Sequence, residues 1–286
     1  MFARFLFALV AGLLFVGQAA AQTLTFSAIP DEDETRLQQR FNRVAGYLQE
    51  RLGVEVRYLP MKSYPAVVTA FRNNQVQLAW FGGLSGVQAR LAVPGSQALA
   101  QGEEDAAFVS YFVAHAGTGA DAAADRLPEA MAGHSFTFGA KTSTSGRLMP
   151  EFYLRERFGK APEAVFSRVG FSGDHSQTLV LVQSGAYDFG AVNYTAYEAA
   201  VKDGKIDPAV VRVIWKTPPY PDYNWTIRGD ADQGFGAGFT AKVRAALLGM
   251  NDPKLLEAFP RQRFIPASNT DYAPVEATAK ALGLID

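Results

Sequence analysis

His134-Ser-Phe-Thr-Phe-Gly-Ala-Lys-Thr-Ser-Thr-Ser-Gly-Arg-Leu-Met-Pro-Glu-Phe-Tyr-Leu-Arg-Glu-Arg-Phe158 is a strand, a turn and a helix in one run. Its first seven residues carry two aromatics and the β-branched Thr137, as a strand does. Leu148 to Phe158 is rich in helix formers, with Pro150 near the start. Between them stand four consecutive hydroxyl residues, Thr142 to Ser145, and then Gly146. They fall where a helix begins. There the first backbone N–H groups lack internal partners and the helix dipole is positive. Ser143, Thr144, Ser145 and Gly146 can therefore form a pocket for a small oxyanion. The same residues also read as a plain Ser/Thr helix cap.

Strand–turn–helix units recur on both sides of this run. Thr23–Ile29, Val54–Leu59 and Val76–Phe81 read as strands. Helices follow them: one from the acidic cluster Asp31–Glu34 to Leu52, one over Tyr64–Arg72, one over Leu84–Leu91. The pattern restarts with strands at Phe108–His115, His134–Ala140, Phe166–Gly170 and Tyr187–Asn193, and helices over His175–Ser184 and Thr195–Lys202. Val210–Trp215 and Tyr223–Ile227 are further strands. The tail is helical over Ala241–Met250, Pro253–Phe259 and Val275–Leu282. This order predicts an α/β fold of two lobes, each a mostly parallel sheet flanked by helices. The chain crosses between them near Tyr111 and near Pro218–Tyr223. That gives one lobe from 22–112 and 220–286, and a second from 113–219.

Residues 1–21 read as a signal peptide: Arg4, an apolar run from Phe5 to Val16, and Ala19-Ala20-Ala21 before a cut near Gln22. The chain has no cysteine, which excludes disulfides and a lipid attached at a cysteine. A soluble periplasmic product with no direct membrane anchor follows. Once Arg4 leaves, 26 basic residues face 28 acidic ones, a net charge of −2. That balance argues against nucleic acid and anionic membrane surfaces as partners.

Phosphate-loop, zinc-protease and G-x-S-x-G signatures are absent from the sequence. The histidines are only His115, His134 and His175, without paired spacing, so no metal or cofactor is expected. Ligands of open parallel sheets sit beyond the carboxyl ends of strands. Four more segments could converge there: Lys62-Ser63-Tyr64, Trp80-Phe81-Gly82-Gly83, Gly173-Asp174-His175-Ser176 and Val192-Asn193-Tyr194. Tyr64, Trp80 and Phe81 read equally as buried aromatics, His175 as a helix-start residue and Asn193 as a turn residue.

Taken together, these segments resemble the phosphonate/phosphite-type periplasmic binding proteins of ATP-driven importers. The landmarks are Ile29-Pro30 before the acidic helix start, Ser63–Phe71, Gln77–Gly82, Ser143-Thr-Ser-Gly146, and Ser172-Gly-Asp-His175 followed by Gly185–Asn193. The resemblance implies two hinged lobes of the type II kind that close on an anion, a membrane permease with its ATPase as partners, and no catalysis. A monomer is the default. It assigns the oxyanion to Ser143, Thr144 and Ser145, further donation to Tyr64 and His175, and the cleft walls to Trp80 and Phe81.

Where many relatives end the strand before Tyr194 with an acid, this chain has Asn193. A donors-only site would suit a fully ionised oxyanion such as sulfate, selenate or a phosphonate dianion, and Asn193 points that way, within a phosphonate, phosphite, phosphate or selenate/sulfate-like class of ligand. Two rival readings stay open. A sulfonate or thiamine precursor would stack on Trp80, Tyr64 and Tyr223. A secreted enzyme would use His175 with Asp174 as acid/base. A sensor module feeding a membrane receptor has the same sequence features as a transport protein.

Overall fold

The computed structural model describes residues 22–122, 125–256 and 259–286; the leader read at 1–21 lies outside them. The first sheet joins β1 (Leu24–Ala28), β2 (Val56–Tyr58), β3 (Leu78–Phe81), β4 (Gln97–Gly102), β10 (Asn224–Ile227) and β11 (Phe264–Pro266), in the order β11-β4-β10-β3-β1-β2. The second joins β5 (Ser110–His115), β6 (Ser135–Phe138), β7 (Arg168–Phe171), β8 (Phe189–Asn193) and β9 (Val211–Lys216), in the order β7-β6-β8-β5-β9.

Both sheets are mixed, which corrects the mostly parallel expectation. Parallel pairing holds where a helix returns the chain between strands, in β2-β1-β3 and β7-β6-β8. The other pairings, β10 with β3 and β4, β11 with β4, and β5 with β8 and β9, are antiparallel; each involves a strand that enters by a crossover, β5 or β10, or from the tail, β11. β4 and β11 escape a reading of the sequence. One is Gln-Ala-Leu-Ala-Gln-Gly, with no β-branched residue, and the other has three residues.

In the first lobe, α1 (Glu34–Leu52) starts at Asp33, whose carboxylate accepts the Arg36 N–H, and stops at Gly53 with φ 70°. Its buried stripe of Leu37, Phe41, Val44 and Leu48 packs into a core with Phe26 and Trp225. Helices α2 (Tyr64–Arg72) and α3 (Gly83–Ala92) follow β2 and β3. In the second lobe, α4 (Met149–Phe158), α5 (His175–Gln183) and α6 (Tyr194–Lys202) follow β6, β7 and β8. Phe112, Phe136 and Phe189 fill one face of the second sheet; Val113, Leu179 and Val192 fill the other.

The two crossovers lie side by side. Phe108 and Tyr220 exchange backbone hydrogen bonds of 2.8 and 2.9 Å, Asp222 N–H donates to the Asp105 carbonyl at 2.9 Å, and Thr217 N–H to the Ser110 carbonyl at 3.1 Å. β5 already pairs at Ser110, opposite Asn193, so residues 110–112 belong to the second sheet. The sequence placed them in the first lobe, because nothing in Phe108–His115 marks where its pairing partner changes.

Candidate functional site: an interlobe anion pocket

The hydroxyl turn lies after β6, at the face turned towards the first lobe. Ser143 caps it: its hydroxyl accepts the Gly146 N–H at 2.9 Å, and its carbonyl accepts the Leu148 N–H at 3.0 Å. The latter bond spans five residues, so the turn from Thr144 to Leu148 is π-type, a wider ring than an α-turn. Ser143, Thr144 and Ser145 are all buried. Gly146 has no room for a side chain. A Cβ there would stand 3.0 Å from His175 Cε1 and 3.1 Å from Ser143 Oγ. The cap reading is therefore right for Ser143, and the turn is also pressed against three other groups.

The first is His175, which opens α5 and is fully buried. Its Nδ1 accepts the Asn193 backbone N–H at 3.3 Å. An accepting Nδ1 places the proton of the neutral ring on Nε2. Burial lowers the ring's pKa to about 3, so it stays neutral. The Nε2–H has no hydrogen-bond partner.

The second is Tyr64, the first residue of α2, positioned by the Ser63 cap and beside Ser143. Its buried hydroxyl also lacks a partner. Burial, with Asp31 and Asp222 nearby, raises its pKa well above the usual 10.0, so it keeps its proton.

The third is Asp222, which sequence reasoning missed. It sits in the second crossover, 1% exposed, beside Thr144 and Ser145. Oδ1 accepts the Gly83 N–H at 2.9 Å, while Oδ2 is buried without a partner. Burial pushes its pKa up to about 6, against the pull of the Gly83 N–H and of hydroxyls nearby. A second missed carboxyl, Asp31, is 5% exposed; burial and then repulsion from Glu32 raise it to about 7. In the sequence it is one of the acidic cluster Asp31–Glu34 at the start of α1, with nothing to mark it as buried. The available signal for Asp222 was a lone carboxylate inside the Pro-rich crossover Thr217–Tyr223.

Four expected site residues have other duties. Phe81 is buried edge-on against Phe71 at 5.6 Å, in the first-lobe core. Trp80 stacks on Tyr223 at 5.6 Å and meets Phe259 and Phe264 edge-on, so it too is core rather than cleft wall. β3 lies between β1 and β10, and with both faces of the sheet covered neither side chain alternates towards the cleft. Tyr223 has its ring against Trp80, and its hydroxyl accepts from Asn193 Nδ2 at 2.8 Å. Asn193 caps α6 through Oδ1, which accepts the Ala196 N–H at 2.6 Å. It therefore reaches the pocket only through Tyr223 and through its backbone bond to His175. The donors-only premise drawn from Asn193 does not hold, because Asp222 brings a buried carboxylate to the pocket.

The enzyme arrangement also fails on geometry. The Asp174 carboxylate accepts the Gln177 N–H at 2.7 Å and does not touch the His175 ring. A Ser135, His134, Asp188 cluster exists at the opposite end of β6. There the serine donates to the aspartate at 2.8 Å instead of to the histidine, so the histidine does not address the hydroxyl as a triad requires.

An open groove of about 710 Å³, lined by Lys62, Ser63, Tyr64, Lys141, Phe171 and Asp174 among others, abuts the pocket from outside. Among the described residues no helix is long and apolar enough to cross a membrane.

Comparison with known proteins gives a consistent result. A family model described as "ABC transporter, phosphonate, periplasmic substrate-binding protein" matches residues 26–272. A "probable ABC transporter phosphite binding protein PhnD1" from Prochlorococcus marinus is 37% identical over 270 residues, 92% of this chain and 91% of the relative. The structure of PhnD1 in complex with methylphosphonate matches with a TM-score of 0.88 and 37% identity, over 93% of this chain and 100% of that one. A binding protein component of an ABC phosphonate transporter from Pseudomonas aeruginosa matches with a TM-score of 0.78 over 91% of this chain and 86% of that one. At 19% identity it speaks for the fold alone.

Proposed function

The chain belongs to the periplasmic substrate-binding proteins of phosphonate ABC transporters, and from that premise we propose that it captures a small phosphorus oxyanion that keeps one proton, of the phosphite and methylphosphonate class. One observation carries this reading. Two buried donors, Tyr64 O–H and His175 Nε2–H, and one buried acceptor, Asp222 Oδ2, lack partners, and all three adjoin the hydroxyl turn. Unpartnered buried polar atoms are costly, so a ligand that satisfies all three is favoured. Anionic oxygens suit the two donors, the N–H groups of Thr144 and Ser145, and the hydroxyls of Ser143–Ser145. A P–OH group suits Asp222. A shared proton there turns the repulsion between two anions into a charge-assisted hydrogen bond. Sulfate and selenate carry no proton at neutral pH and would face that repulsion. Trp80 and Tyr223 stack on each other and are buried, so neither offers a ring face to an organic ligand.

In this reading Ser143, Thr144, Ser145, Gly146, Tyr64, His175 and Asp222 form the site, with Asn193 and Tyr223 behind them. The lobes part about the two crossovers to admit the anion and close over it. The closed monomer, exported by removal of the leader and free of a lipid anchor, then docks on a permease driven by its ATPase.

Titration calorimetry with phosphite, methylphosphonate, phosphate and sulfate tests the proposal. Phosphite or methylphosphonate should bind tightly and sulfate at least about a hundredfold more weakly. Affinity should fall about tenfold per pH unit once the free anion has lost its last proton. Sulfate binding as tightly as methylphosphonate would overturn the protonated-ligand reading.

A further inference from the structure

We infer that the two helices at the pocket are capped across the cleft, each by the opposite lobe, and that Thr144 is a closure-positioning residue rather than only an anion donor. The inference rests on the reading that the lobes part to admit the ligand. Helix α3 of the first lobe begins after Gly82, which has no side chain to cap it. Its second amide, Leu84 N–H, donates instead to Thr144 Oγ1 of the second lobe at 2.9 Å, in a fully buried contact. Its first amide, Gly83 N–H, donates to Asp222 of the crossover at 2.9 Å. The relation is reciprocal. Helix α5 of the second lobe has its own cap, Asp174, for the Gln177 amide. Its first amide, His175 N–H, donates to the Asp31 carbonyl of the first lobe at 3.1 Å.

The N-terminal amides of a helix need partners from outside it. Closure supplies one on each lobe, and opening hands both back to water. The approach also explains the two glycines at the start of α3, Gly82 at its cap and Gly83 as its first residue. A Cβ on Gly82 would lie 3.2 Å from Asp222 Oδ1 and 3.4 Å from Thr144 Oγ1; one on Gly83 would lie 3.3 Å from Thr144 Oγ1 and 3.1 Å from the Pro221 carbonyl. A cap of the usual kind at position 82 would stand where the opposite lobe lands. The turn thus divides its labour. Ser143 caps its own turn, and the Thr144 hydroxyl is directed at Leu84.

Amide hydrogen exchange on the whole protein tests this, with methylphosphonate as the probe and phosphite in its place should methylphosphonate not bind. In the unmodified protein, ligand should slow exchange at Leu84 and His175 together. Thr144→Val keeps the shape and removes the hydroxyl. It should leave Leu84 exchanging fast in the saturated complex while His175 stays protected, and should speed ligand release about tenfold. Thr144→Ser should restore both. Leu84 protected alike in the saturated valine variant and the unmodified protein would overturn the inference. If neither anion binds, the substrate reading fails, and ligand-free exchange decides the capping. A chain that stands closed protects Leu84, and Thr144→Val removes that protection; no such difference overturns the inference.

Discussion

The wall of the pocket built by the second lobe offers donors: the hydroxyl turn and the neutral His175, whose free hydrogen is on Nε2. The wall built by the first lobe and the crossover offers Tyr64 and two buried carboxyls, Asp222 and Asp31, both with pKa values pushed up by burial. The donor wall is local in the chain, because the turn and His175 follow the successive strands β6 and β7 of one sheet. The acceptor wall is assembled from segments some 190 positions apart, and it exists only when the crossover folds back on β3. A donor wall alone would hold any tetrahedral oxyanion. In the proposed reading, the acceptor wall is what selects an anion that brings a proton.

The difference between the walls can be broken first at Asp222. Asp222→Asn keeps the acceptor for Gly83 and replaces the free oxygen or its partner by a donor. Calorimetry should show methylphosphonate or phosphite weakened about a hundredfold while sulfate is unchanged or tighter. Equal losses for both anions would show that Asp222 has no part in selection.

On the donor wall, His175→Gln removes the oriented Nε2–H. A loss of about ten- to thirtyfold is expected for every anion that binds, without a change in their ranking. A change of ranking would mean that the walls do not divide their roles as described.

Asp31 sharpens the comparison through pH. Its carboxyl titrates near 3.8 when unfolded and near 7 when folded, so the folded chain holds the extra proton between those values. That stabilisation is fully present below about pH 4 and is lost as pH rises through 7. Asp31→Asn cannot titrate. Ligand-free denaturant curves should find it more stable than the unmodified protein at pH 8, by roughly 2–4 kcal/mol, with the gap closing towards pH 4. Parallel curves across that range would contradict the buried, protonated Asp31.

The smallest effect is expected off both walls. Phe81→Leu should cost about 1–2 kcal/mol of stability and leave the dissociation constant within about twofold, because the ring is packed in the core behind β3.

Much of this was readable before any coordinates. The helix read over Tyr64–Arg72 is α2 with the same bounds, and His175 and the hydroxyl turn lie together in the pocket. Such features depend on local signals: caps, runs of hydroxyls, a single amphipathic stripe. Trp80 and Phe81 were misplaced because a strand covered on both faces gives no alternation to tell core from cleft. Asn193 was misread because a capping amide and a ligand donor are the same residue in sequence; only the bonds to Ala196 and Tyr223 separate them. Asp222 stayed hidden because its meaning depends on the return of a crossover, which no periodicity records.

The paired crossovers carry a mechanical consequence. Two segments cross-linked by backbone bonds at Phe108–Tyr220, Asp105–Asp222 and Ser110–Thr217 form a flat strap rather than two independent strings. A strap folds readily about the line across its width, but sliding one edge past the other breaks its rungs. In the proposed opening and closing, such a strap would confine the lobes to a single swing that brings Thr144 back to the same amide.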